Sequence, residues 1–509
     1  MNDRLRPTLA VVVPVVVGVL GALPAGSWGA PAAASRHSSR GRLRAKVVQL
    51  RAIAPGNEFP VGPCANPFVS SRASAESQVE PTLAVNPRDP RNLIVGWFDG
   101  SFELYGVAVS RNAGAGWKVV EVPGYSHCTG GELYTEASDE GLSFGPDGTA
   151  YFDAQTELGT GNLVPILVSR SANHGLSWSA PVTAAPPAGY NDKQRGPVLI
   201  DPRDPQRGFL AWRRGRDDTG LVAGSDIFFS TTRDGGRSWS PERPIYLGQL
   251  PGEFDVHNTL FLTPARVLVD VWIREHTQDW LPGAGGATVQ PEEIMAMSSR
   301  DLGASWSTPV RAATTSFRYP VGVNGSRIEA FPSVYSAIAP DGTIYTAWND
   351  IESTTFSRIW LASTHDGGLS WSKPSVVEAI HGQAFLPAIA VEPNGTLGIT
   401  WYDTRRDVPG SGRTTTDVWF AGSADRGARW SEIHLAGSFD MQSAPPFEFF
   451  GFTGPFVGDY TGLAGIPGGF AAAFAMAKPR SPVGQSTVYF ARIRVTRTQS
   501  SPTSRPRES

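Results

Sequence analysis

Three short stretches gather residue types that do chemistry. Phe456-Val457-Gly458-Asp459-Tyr460-Thr461-Gly462-Leu463 sets a carboxylate beside a phenol. Ser326-Arg327-Ile328-Glu329 sets a guanidinium beside a carboxylate. Trp401-Tyr402-Asp403-Thr404-Arg405-Arg406-Asp407 packs two aromatics, two acids and two arginines into one strand end. Carboxyl groups move protons when placed within reach of a reacting atom. Arginine grips a carboxylate through paired hydrogen bonds. Further candidates stand at the starts of apolar runs, namely Glu80, Asp139, Arg195, Asp255 and His257. Others follow such runs, among them Asp99, Arg213, Arg274 and Glu275. The plain alternative is that these groups cap strand ends facing water. Asp459-Tyr460 then reads as an aromatic plug and 401–407 as a salt-bridged loop.

What positions these residues is a repeat. The pattern [Ser/Thr]-x-[Asp/Asn]-x-Gly-x-x-Trp occurs six times, ending at Trp117, Trp178, Trp239, Trp306, Trp371 and Trp430. Those tryptophans are 61, 61, 67, 65 and 59 residues apart. A period of that length with strand-like runs between copies signals radial or solenoid repetition. Within each copy the Asp or Asn accepts backbone hydrogen bonds round the turn, and glycine permits a positive φ. Between copies come paired apolar runs joined by turns such as Pro340-Asp341-Gly342 and Pro393-Asn394-Gly395. Seven such hairpins are legible, from Glu80 with Leu93–Trp97 to Asp459–Ala464 with Gly469–Phe474. The expected fold is an all-β propeller of seven four-stranded blades, with six the alternative. The seventh unit lacks a fourth strand, and Lys46–Ile53 is suited to supply it, sparing the ring an open edge. In such a ring the starts of innermost strands share one face with the ends of second strands. The glycine turns lie on the other.

The repeated turn resembles the Asp box (bacterial neuraminidase repeat) of the sialidase-like β-propellers. The resemblance spans 44–495 as fold. It implies that the boxes are scaffold and that chemistry lies at the opposite mouth. Phe456–Leu463 is similar to the sialidase segment carrying a nucleophilic tyrosine, which implies Tyr460 in that role. A glutamate from another blade activates that tyrosine in the family, a part Glu329 would fill, with Asp139 as the acid. The same resemblance implies an arginine triad for a carboxylate-bearing sugar, for which Arg195, Arg327 and Arg405 are the candidates. Asp403, Asp459, Glu80 and His257 complete the substrate-binding set. The chain departs from the family where its first blade opens: Val79-Glu80-Pro81-Thr82 stands in place of [Phe/Tyr]-Arg-Ile-Pro. The function implied is an exo-acting, sialidase-like glycoside hydrolase on a sialic-acid-type or other glycan. The alternatives are a non-catalytic glycan- or protein-binding propeller, and a lyase using Tyr460 with His257.

Net charge of −3 argues against a nucleic-acid or acidic-membrane partner. Arg4 and Arg6 precede an uncharged apolar run, Leu9–Leu23, and small residues follow to Ala34. That is the composition of a secretion signal over residues 1–34, with a short membrane anchor the rival reading. Residues 35–43 read as a linker and 496–509 as a disordered tail. The expected product is secreted, monomeric and not stably inserted in a membrane. In an oxidising compartment the two cysteines, Cys64 and Cys128, would pair; two unpaired thiols are the alternative. No metal motif or phosphate loop stands out, so no cofactor is expected, and Asp217-Asp218 reads as a solvated turn.

Overall fold

The computed structural model describes residues 43–497 apart from 56–76, 100–103, 132, 159–163, 190, 194–195, 217–223, 251, 277–291, 316–318, 332, 354–355, 378–381, 450–451 and 479–484. The expected signal segment, the linker up to residue 42, Cys64, Arg195, Asp217-Asp218 and the tail from residue 498 lie outside the described residues.

Seven antiparallel sheets on a four-stranded plan form the propeller, with no α-helix among the described residues. Blade 1 runs outward as Gln78–Val85, Leu93–Asp99, Tyr105–Ser110 and Lys118–Val120. Blades 2, 3, 4, 5 and 6 follow, opening on Tyr134–Phe144, Asn191–Asp192 with Leu199–Asp201, Glu253–Leu262, Tyr335–Ile338 and Ala384–Val391. Blade 7 begins at Gly462–Ile466 and continues through Gly469–Ala477 and Ser486–Arg497. Its outermost strand is Leu43–Ala52, paired antiparallel with Leu43 opposite Arg497 and Ala52 opposite Tyr489. The terminal strand thus covers what would be an open edge, as expected. Cys128 is disulfide-bonded.

Two innermost strands start later than their sequence suggests. Blade 5 was expected from Glu329 and begins at Tyr335; blade 7 was expected from Asp459 and begins at Gly462. In both, the preceding residues bond to each other instead of to their own sheets. Glu329 bridges Phe456 in parallel, and the Phe331 amide donates to Asp459 Oδ1 at 2.8 Å. A short hairpin, Pro446–Phe449 with Phe452–Pro455, precedes this crossing.

The core is a set of seams between neighbouring blades. One cluster joins Trp97 to Phe470 and Phe490, another joins Trp348 to Val269 and Ile294, and a third joins Trp401 to Tyr345 and Leu361. Burying each such large side chain contributes roughly 2–3 kcal/mol. Trp97, Trp212, Trp272 and Trp401, all fully buried, sit on second strands, where apolar runs ending in an aromatic were expected.

The six glycine turns join third to fourth strands and share one set of bonds. In blade 4, Ser299 Oγ donates to Asp301 Oδ1 at 2.7 Å, while the amides of Gly303 and Ser305 donate to Ser299 Oγ and Asp301 Oδ1. Hydrogen bonds from the Ser305 hydroxyl and amide hold the Asp301 carboxyl down at about 2. Each turn glycine also presses on the preceding blade. A Cβ on Gly303 would stand 2.5 Å from Phe229, and φ there is +92°. Gly303→Ala is therefore expected to destabilise the protein by about 2 kcal/mol, from backbone strain and overpacking together. Denaturant unfolding checks this, with Gly325→Ala as control, since φ is +82° there and its added Cβ meets nothing within 4 Å.

Candidate active site

A recurrent bulge aims side chains at the axis. In blade 1, Val79 pairs with Phe98 and Thr82 with Gly96, so Glu80-Pro81 together face Trp97. The same two-against-one bulge holds Asp139-Glu140, His257-Asn258 and Leu386-Pro387. Its first residue lies at positive φ in all four: Glu80 at 55°, Asp139 at 55°, His257 at 62° and Leu386 at 47°. None is glycine, so each holds strain of order 1 kcal/mol or more that the surrounding sheet must impose. Such strain marks where a fold re-aims side chains beside a site. The seven innermost strands are mutually parallel, so this layer lies at one mouth, opposite the glycine turns.

Tyr460 is the hub of that layer. Its phenol lies 2.9 Å from Glu140 Oε2 and 3.2 Å from Glu80 Oε2, joining blade 7 to blades 2 and 1. The phenol has one proton to donate. To complete both bonds, one glutamate must itself carry a proton and donate it to the phenol oxygen. Burial pushes both carboxyls well up; the charges of Asp459, Asp139 and Glu140 add to this at Glu80, and that of Asp139 at Glu140. Thr82 Oγ1 supports Glu140 Oε1 at 3.2 Å, and the Asp459 amide supports Glu80 Oε1 at 3.3 Å.

Above this buried trio sit two partly exposed aspartates, Asp139 and Asp459. Desolvation in the axial depression, then the Asp192 charge, pushes Asp139 up to about 8. Desolvation, then the charge of Glu329, pushes Asp459 up to about 7. The Asp459 carbonyl accepts from Tyr335 Oη at 2.6 Å, so blade 5 holds the entry to blade 7 across intervening blade 6. Both aspartates are groups able to give or take a proton near neutral pH.

Four described cations around this mouth are matched with acids of their own. Lys193 Nζ lies 3.1 Å from Asp153, both fully buried. Arg213 binds Asp192 at 2.6 Å and lies 3.9 Å over the Phe254 ring. Arg327 pairs with Glu329 at 2.7 Å and stacks 3.5 Å over Tyr319. Arg405 bonds Asp403 at 2.7 Å, then turns outward over Trp419, 3.7 Å away, to Glu432 on the outermost strand.

The structure thus brings Tyr460, Glu80, Asp139 and Asp459 together. Glu329 stands beside Arg327 rather than under the Tyr460 phenol, whose carboxyl partners are Glu80 and Glu140. Arg405 and Asp403 lie along blade 6, where Asp403 also accepts from the Trp401 indole at 3.1 Å. His257 is buried in its bulge with its ring 5.7 Å from Phe331. Glu140 was missed by the sequence reading. It occupies the second bulge position, which is Pro81 in blade 1 and Pro387 in blade 6; an ionisable residue there was the available signal.

Past the bulges the axis opens into a cavity of about 350 Å³ between the innermost strands of all seven blades. Leu83, Leu142, Phe261, Ile338, Ile389 and Leu463 contribute its apolar wall. The acidic layer closes one end, since Thr82 and Gly141 line the cavity directly beside Glu140. Among the described residues no three or more His, Cys, Asp or Glu side chains are placed to hold a metal ion together, and no helix is long and apolar enough to cross a membrane.

The sequence matches no known family profile and no curated protein. Among solved structures, a protein of unknown function from Dyadobacter fermentans is similar at 11% identity, over 89% of this chain and 99% of that one, with a TM-score of 0.46. The α-L-arabinanase of Penicillium chrysogenum, complexed with arabinobiose, is similar at 13% identity over 70% and 94%, with a TM-score of 0.44. A leech intramolecular trans-sialidase is similar at 11% identity over 80% and 83%, with a TM-score of 0.46.

Proposed function

We propose that this protein is an exo-acting glycoside hydrolase whose reaction centre is the acidic mouth of the ring. The observation that carries this reading is the Tyr460 phenol held between Glu140 and Glu80, at 2.9 and 3.2 Å, beneath two aspartates that titrate near neutrality. An oxocarbenium-like transition state needs an adjacent anion or nucleophile and an acid for the leaving oxygen. Tyr460 attacks the anomeric carbon as Glu140 takes its proton, and the phenol oxygen–carbon bond forms. The glycosidic oxygen–carbon bond breaks, and the departing oxygen takes the Asp139 proton. Water then adds to the anomeric carbon, Asp139 regains a proton from it, and Tyr460 leaves with the proton returned by Glu140. Asp459 holds Glu80 and the blade 5 segment in place through its backbone and carboxyl.

Purified protein is expected to release free sugar from members of a panel of aryl glycosides. Absence of release from every member of a broad panel, at pH 5 to 8, would remove the reading. One observation favours a second reading, a propeller that binds glycan without cleaving it: Tyr460 is only 1% exposed. Saturable binding on a glycan array without product is its signature.

Export of the chain is part of the proposal. The apolar run at Leu9–Leu23 and the disulfide-bonded state of Cys128 support it. N-terminal sequencing of protein from culture medium tests it, with cleavage after Ala30 or Ala34 expected.

A further inference from the structure

The charge balance of the mouth bears on which sugar enters it. Two carboxyl groups, Glu140 and Glu80, bond one phenol, and Asp139 and Asp459 lie close enough for their charges to add to burial in pushing Glu80 up. Three nearby cations each have a carboxylate partner outside that four: Lys193 with Asp153, Arg213 with Asp192, and Arg327 with Glu329. Arg405, the remaining described candidate for gripping a substrate carboxylate, is bonded to Asp403 and Glu432 and leans outward over Trp419. Among the described residues, a substrate carboxylate entering here would meet acids rather than an open guanidinium fork. It would also leave water for a low-dielectric depression, where like charges repel strongly. A hydroxylated sugar meets the same groups as hydrogen-bond partners, since carboxyls and carboxylates both accept from hydroxyls.

We infer that the axial site takes a glycoside whose cleaved sugar carries no negative charge, in place of the sialic-acid type that the resemblance implied. This rests on the hydrolase reading above and narrows it. The raised titration of Asp139 and Asp459 agrees with it, because an anion would raise them further at a cost in binding.

The test is a matched panel of 4-nitrophenyl glycosides of neutral pentoses and hexoses in both anomers, as pyranosides and furanosides. Glucuronide and galacturonide counterparts and a 4-methylumbelliferyl sialoside complete it. The expected result is kcat/KM at least ~10-fold higher on the best neutral substrate than on its carboxylate counterpart. That ratio is expected to grow from pH 6 to pH 9 as the aspartates ionise. It is expected to shrink in 1 M salt, while the neutral rate stays within about twofold. A sialoside or uronide cleaved as fast as any neutral member overturns the inference and leaves the hydrolase standing. A ratio indifferent to both pH and salt also overturns it, since the preference then comes from shape. Turnover of no member removes the hydrolase reading and this inference together.

Discussion

Tyr460→Phe is expected to lower kcat by about a thousandfold or more while the ring of blades stays folded. The ring of the side chain packs in a seam with Trp401 and Tyr345, and phenylalanine keeps that packing. What it loses is the oxygen that lies 2.9 Å from Glu140 and 3.2 Å from Glu80. If that oxygen is the nucleophile, the step that forms a bond to the anomeric carbon has no substitute. Losing the two hydrogen bonds costs stability as well, on the order of 1–3 kcal/mol, because two buried carboxyls lose a partner. Calorimetry therefore belongs beside the rate measurement. A folded variant that retains more than a tenth of wild-type kcat would show that Tyr460 is a plug and not the nucleophile. Glu140→Gln separates the proton acceptor from the hydrogen-bond scaffold. Its amide still bonds the phenol but cannot take the proton, so the rate falls with little change in Tm.

Asp139→Asn is expected to lower kcat by about 10²- to 10⁴-fold on substrates with poor leaving groups. On aryl glycosides with activated leaving groups the loss is expected to be much smaller, because such groups depart without protonation. The pH profile carries the same information. Asp139 must be protonated to serve as the acid, and its carboxyl is pushed up to about 8, so activity is lost as pH rises through that value. The variant, having no carboxyl there, loses that alkaline limb. Stability moves in the same sense with pH. A carboxyl raised in the folded state above its unfolded value of about 4 contributes stability that is fully present below about pH 4. That contribution is lost as pH climbs through about 8. The asparagine variant carries no such penalty, so at pH 9 its Tm is expected to equal or exceed that of wild type. A variant both inactive and less stable at pH 9 would assign Asp139 a structural role.

The strain at the bulges fits this division. Glu80, Asp139 and His257 occupy backbone conformations that glycine would adopt more cheaply. They are held there by seams built on Trp97, Trp272 and their neighbours. Stability is spent at the axis and supplied between the blades.

Much of the scaffold could be read from the chain. The six glycine turns, the paired runs and the closing strand are local patterns. A turn whose own side chains satisfy its own amides looks the same in a sequence as in a sheet. The fold followed from counting strands, and so did the face on which Glu80, Asp139 and Tyr460 meet. The partners within the site did not. Glu329 and Tyr460 were paired by resemblance, whereas the phenol lies against Glu140 and Glu80, residues 320 and 380 positions away. Arg405 was expected at the axis and extends toward Glu432 on the outermost strand of blade 6. The physical reason is the bulge. Two residues set against one rotate the strand locally, and that rotation decides which side chain faces the axis. It depends on sheet register and on what the neighbouring blade packs against it, and neither is written in a single strand. Charge behaves in the same way. Asp459 pushes the distant Glu80 up only when the ring closes and takes water away from both.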